Sequence, residues 1–203
     1  MSRLDPSASP RGNLRGAWWI LVVVVLFFAA VAVRQLGLVA ANRGEPRVGD
    51  GEDPTTYGYD LAALTIDTRW LAATMPKDAL DALDAPPLLR PAQVDSLNGA
   101  ERGKYLVPDD RVVGVVVNGV ARAYPVRVMD WHEVANDTLG GEPVLVTWHP
   151  LSGTAAVFAR RVAGHVRDFS ITGLVWNSHH VLHDGGADGA ESLWVPLLGR
   201  AVG

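Results

Sequence analysis

Between Tyr124 and Gly153 the chain reads YPVRVMDWHEVANDTLGGEPVLVTWHPLSG, and its reactive side chains are concentrated there. Two Trp-His pairs, Trp131-His132 and Trp148-His149, flank an Asn-Asp-Thr-Leu-Gly-Gly turn and a short apolar run. His132, Glu133 and His149 would supply two imidazoles and a carboxylate to a divalent ion, and imidazole suits zinc and copper. The spacing matches no standard metal motif, and His132-Glu133 is not part of a zincin helix signature. The same residues suit acid–base chemistry, with His132 or Glu133 as proton acceptor and Ser152 as nucleophile or polar anchor. No nucleophile-elbow pattern surrounds Ser152. Asn136 and Asp137, with Trp131 and Trp148, are the candidate ligand-binding residues. Each has a plainer reading: His132 as a hydrogen-bonded core histidine, His149 as a turn cap, and Asn136-Asp137-Thr138 as an Asx-type turn.

Three function classes follow. The leading one is a site that binds a metal, zinc or copper, or a small ligand. The second is an enzyme using His132 and Glu133 on a small substrate, and the third is a non-catalytic interaction module. Composition narrows the field. The chain has 203 residues, a net charge of −4 and interspersed charges, so no nucleic-acid footprint is present. Cysteine is absent, which removes disulfides, thiolate ligands and a cysteine nucleophile.

The elements that must carry these residues begin at a lipid-like segment. Ala17 to Val33 is an uninterrupted run of 17 uncharged, mostly large apolar residues. With Leu36 to Ala41 beyond a snorkelling Arg34, residues 17–41 are expected to span the bilayer once as a signal anchor. Trp18 and Trp19 stand where an interfacial belt would lie. No polar face exists for a soluble helix. A cleavable signal peptide is the rival reading, because Ala30-Val31-Ala32 and Val39-Ala40-Ala41 resemble cleavage sites. Residues 1–16 are expected to be a disordered tail and residues 42–59 a linker. Residues 60–203 then form the domain, placed outside the cytoplasm of a single-pass membrane protein.

That domain reads as mainly β, an α+β fold with short helices built on antiparallel sheet. A strand is expected at Ala63 to Ile66, short helical pieces follow to the Pro86-Pro87 break, and another helix runs from Pro91 towards Arg102. Arg111 to Val117 and Val120 to Tyr124 flank Asn118-Gly119, the dipeptide best suited to a type I′ hairpin turn. Val126 to Ala135 reads as a short helix or loop presenting His132 and Glu133. Val144 to Trp148, Thr154 to Arg160, His165 to Thr172, Val181 to His183 and Ser192 to Val195 are the further strands. His179, His180 and His183 read as a solvated loop cluster, and His165 as exposed. Trp70, Trp176 and Trp194 read as core or sheet-capping residues, and Arg160-Arg161 as a solvated strand end.

The run from Arg111 to Trp194 resembles the bacterial and archaeal DUF3179 family, whose function is unknown. The matching pieces include Val113-Gly114-Val115, Ala121-Arg122-Ala123-Tyr124-Pro125, Trp131-His132-Glu133-Val134-Ala135-Asn136-Asp137, Thr172-Gly173-Leu174, Asn177-Ser178, Asp184 and Glu191-Ser192-Leu193-Trp194, with Pro76-Lys77-Asp78 upstream. The resemblance implies a shared fold and no established activity. Similar sequences usually carry a Cys-Pro-Leu-Cys-like element where this chain has His149-Pro150-Leu151-Ser152, so thiol chemistry imagined for them cannot occur here. They usually continue beyond the position of Gly203, which makes this chain a truncated or divergent member by expectation.

Overall fold

The computed structural model describes residues 18–41, 48–100, 104–185 and 191–203. The chain divides into two compact units, Met1–Pro46 and Arg47–Gly203. The polar tail at 1–16 and residues 42–47 of the expected linker lie outside the described residues.

In the first unit Trp18–Ala41 is one continuous helix, α1, of 24 residues, about 36 Å long at the usual rise. Its side chains from Val22 to Arg34 are all exposed. Among the described residues no helix is long and apolar enough to cross a membrane.

The second unit is mainly β. Its strands are β1 (Leu71–Ala73), β2 (Leu83–Asp84), β3 (Val112–Val117), β4 (Val120–Pro125), β5 (Val134–Leu139), β6 (Glu142–His149), β7 (Thr154–Ala159), β8 (Arg161–Val162), β9 (His165–Val166), β10 (Phe169–Trp176), β11 (His179–Asp184), β12 (Ser192–Val195) and β13 (Arg200–Ala201). Helices α2 (Pro91–Ala100) and α3 (Val126–Met129) are short. One sheet runs β1-β10-β11-β12-β13 and another β2-β5-β6-β7, while β3-β4 and β8-β9 form two-stranded ribbons. Pairing is antiparallel except between β2 and β5.

Alternation along the strands explains the layering. On β6, Val144, Val146 and Trp148 face a core shared with Val115, Tyr124 and Met129 of the β3-β4-α3 layer. Leu145 faces the other way, onto Phe169, Ile171 and Leu182 of the five-stranded sheet. On β11, Leu182 looks into that inter-sheet core. Val181 looks outward, under Tyr57, Tyr59, Leu64 and Ile66. The two larger sheets are therefore buried on both faces, so apolar and polar residues do not alternate cleanly along β5, β6 or β11.

Turn chemistry sets the registers. Asn118 and Gly119 adopt φ of 49° and 79°, the expected mirror-image turn. Asn177 and Ser178, at φ 48° and 66°, do the same between β10 and β11 and set Trp176 opposite His179. Gly173 is required where it stands: at φ +79° an added Cβ would lie 1.9 Å from the Met75 carbonyl oxygen.

Several expectations fail for local reasons. Ala63 to Ile66 is not a strand. Asp53, Asp60 and Asp67 each accept a hydrogen bond from the amide two residues on, at Thr55, Ala62 and Arg69, and each starts a 3-10 turn instead. Part of the expected spacer is structural, since Tyr57 is buried and its hydroxyl donates to the Met75 carbonyl. Trp70 is 60% exposed rather than core, whereas Trp176 packs against the outer cluster around Val181 and Trp194 against the inter-sheet core. Arg160 is not a solvated strand end: its guanidinium reaches the carbonyls of Asp137 (3.2 Å) and Arg167 (3.1 Å) and the Asp168 carboxylate. Asn136-Asp137-Thr138 is part of β5 rather than a turn.

Candidate functional site

The histidines read as a solvated cluster belong instead to β11, where His180 and His183 are both buried. His180 shares the inward face with Leu182 and lies at the end of the inter-sheet core. Its Nδ1 is 3.0 Å from Glu133 Oε2. An ionised carboxylate only accepts, so Nδ1 carries the hydrogen and the neutral ring keeps its lone pair on Nε2. Glu133 sits at the start of β5 with φ +58°. Its amide donates to the Met129 carbonyl (2.7 Å) and its carbonyl accepts from Trp148 N (2.8 Å). The main chain is thus pinned on both sides in a conformation that costs a non-glycine residue about 1–2 kcal/mol, and the carboxylate is delivered to His180.

The end of β6 brings in the second imidazole. The ring of His149, 3% exposed, lies 4.9 Å from that of His180 and 6.4 Å from that of His179. Its Nδ1 is 3.0 Å from Ser152 Oγ, which is 2.6 Å from Thr154 Oγ1. Burial holds the His149 pKa below its ordinary 6.5. The neighbouring His180 and His179 push the same way, against the pull of the Glu133 carboxylate. Neither Nε2 of the pair has a hydrogen-bond partner among the described residues. A cleft of about 190 Å³ reaches His180, lined by Thr147, Thr154, His179, His180, Pro196 and Leu197 among others, with His149 behind its wall.

Of the residues singled out in the sequence, Glu133 contacts His180 and His149 contacts Ser152, and the His149 and His180 rings lie side by side. His132 turns aside, its Nδ1 2.7 Å from the Asp81 carbonyl oxygen. Among the described residues no group of three or more histidine, aspartate or glutamate side chains is arranged to hold a metal ion. Trp131 is 73% exposed, while Trp148 is buried, with its indole donating to Asp130 Oδ1 (2.7 Å) and lying under the Arg111 guanidinium. Asn136 and Asp137 face opposite sides of β5 and away from the cleft. Asn136 joins the sheets through Phe169. Asp137 accepts from Tyr124 Oη (2.6 Å) and pairs with Arg122 (2.7 Å). Burial first, then the Asp137 carboxylate, raises the Tyr124 phenol well above its usual range.

A family model described as "Protein of unknown function (DUF3179)" matches residues 77–203. The chain belongs to this family. The matched range contains Glu133, His149, Ser152, His179 and His180, so the whole imidazole cluster lies within the family's domain. No curated protein and no solved structure matches the chain.

Proposed function

We propose that this is a membrane-anchored, extracytoplasmic binding protein whose site is the imidazole pair His149 and His180, backed by Glu133. The ligand is a small polar molecule or a zinc or copper ion entering the adjoining cleft. The observation that carries this reading is that each ring has its Nδ1 engaged by the protein, by Glu133 and by Ser152, which leaves both Nε2 atoms for a ligand. Such second partners orient imidazoles for coordination or hydrogen bonding. An ion here would complete its sphere with water or an added ligand. The anchor is supported by the uncharged run Ala17 to Val33.

Calorimetric titration of the full chain in micelles with zinc and copper, beside a fragment screen read by histidine-ring NMR, tests the site. Binding is expected in the wild type and reduced about tenfold or more in His180→Ala and Glu133→Gln, as second partners of a ligand typically matter. Hits that leave the His149 and His180 signals unmoved would sink the reading. A second reading, favoured by the Glu133–His180 contact, is acid–base catalysis with His180 as the oriented proton acceptor. Equal turnover in wild type and Glu133→Gln on any substrate found would end it.

A further inference from the structure

A second cluster lies on the outward face of β11, away from the imidazole pair, and none of its groups serves that site. Three segments distant in sequence converge there on the carboxylate of Glu191, which precedes β12. Lys77 Nζ is 2.6 Å from both carboxylate oxygens. Tyr59 Oη is 3.5 Å from Oε2. His183 Nδ1 is 3.6 Å from Oε1. The His183 side chain is only 9% exposed, and its Nδ1 is shielded from solvent without a hydrogen-bond partner. Its Nε2 is held 2.8 Å from Asp78 Oδ1.

The positions of Lys77 and Asp78 are set by main-chain bonds. Lys77 N donates to the Val48 carbonyl (2.8 Å) and Asp78 N to the Ile171 carbonyl (3.1 Å). Glu191 is restrained as well, because the next residue, Ser192, donates its amide to Asp184 Oδ1 (2.7 Å). The tethered carboxylate therefore meets the ammonium at ideal distance, reaches the phenol at the limit of hydrogen bonding and stops short of the imidazole. A free carboxylate of the same charge has no such tether and can approach all three groups.

We propose that Tyr59, Lys77 and His183 form a binding site for a small carboxylate, which the chain fills with its own Glu191 and from which an external acid displaces it. The Lys77 side chain, 16% exposed, has a strong need of an anion once Glu191 moves. Glu191 is 32% exposed, so its carboxylate already borders solvent. A carboxylate brought to Nδ1 would accept the hydrogen bond that this shielded nitrogen lacks. Among the described residues, the charges facing the ring and its occupant are Asp78, Glu191 and Lys77, with the Tyr59 phenol.

The test is an acetate titration of the full chain in micelles with ¹⁵N-labelled histidine, at constant ionic strength with chloride as the reference anion. In the wild type the His183 Nδ1 signal is expected to move with acetate and not with chloride. Glu191→Ala, which empties the place, should bind acetate about tenfold more tightly, a gain of about 1.4 kcal/mol. Adding Lys77→Met to it should abolish the gain. Glu191→Gln, whose amide keeps the volume, should show no gain, and it serves with the wild type if the alanine variant does not fold. N-acetyl-alanyl-alanine as a second probe separates free acids from peptide C-termini, and a response to either supports the site. An unmoved His183 signal in the wild type, or equal responses to acetate and chloride, would overturn the proposal.

Discussion

Replacing Asn136 by alanine tests whether the two larger sheets are joined through that side chain. Asn136 is 2% exposed, and its amide closes a ring with one residue of the facing sheet. Nδ2 donates to the Phe169 carbonyl (2.9 Å) and Oδ1 accepts from Phe169 N (3.0 Å), while Nδ2 also reaches Asp84 Oδ1 (2.8 Å). Phe169 is itself 3% exposed, so truncation strands a buried N–H and a buried C=O together. At about 1–3 kcal/mol for each orphaned group the expected loss is about 2–6 kcal/mol, a large share of a typical domain's stability. For a unit of this size each kcal/mol moves the melting temperature by about 2–4 °C, so a mid-range loss lowers it by roughly 8–16 °C. Thermal unfolding of the full chain followed by tryptophan fluorescence reads this directly. Thr138→Ala, at an exposed position on the same strand, is the control, with an expected change within about 0.5 kcal/mol. A loss below about 1 kcal/mol for Asn136→Ala would refute the reasoning, because water would then be satisfying Phe169 and the sheets would not depend on this bridge.

Three further outcomes follow from the same structure. Gly173→Ala is expected to yield no folded protein, since the new Cβ would lie 1.9 Å from the Met75 carbonyl oxygen at a positive φ; near-normal circular dichroism and solubility would contradict the packing of the Thr74–Asp78 segment on β10. Tyr124→Phe should cost about 1.5–3 kcal/mol, the range for a hydrogen bond to a charged group, because Asp137 keeps Arg122 but loses the phenol; an unchanged denaturation midpoint would mean the bond contributes nothing. His149 contributes a pH dependence of definite sign. Its folded pKa lies below the ordinary 6.5, so the unfolded chain binds the proton first. Its stabilising contribution is therefore complete above 6.5 and declines as pH falls through that value towards the folded one. His149→Gln should flatten the acid limb of stability against pH, and an identical limb in both proteins would reject the assignment.

Much of the domain is local chemistry and was legible as such. The apolar run at Ala17 to Val33, the Asn118-Gly119 hairpin and the β-rich middle follow from side-chain shape and turn preference, which act within a few residues. Glu133 and His149 were recognisable as reactive groups near strand ends. The partner of Glu133 was not, because His180 lies 47 residues further along the chain and looks like one polar residue among three. The missed signal is Asn177-Ser178. Read as a two-residue mirror-image turn, it sets Trp176 opposite His179 and makes His180 the first residue of β11 on the face of Leu182.

Even that register could not have decided the site. Sequence determines which residues alternate on a strand, since side chains point to opposite faces with period two. It does not determine what each face meets when both are covered, as on β5, β6 and β11. There the packing of one sheet on the other set His180 against Glu133 and His132 against the Asp81 carbonyl, turned Asn136 into a bridge and Asp137 into an anchor, and gathered Tyr59, Lys77 and His183 around Glu191. Residue type and short-range sterics are written in the chain, whereas contacts between segments far apart in sequence exist only once burial of the apolar faces has brought the layers together.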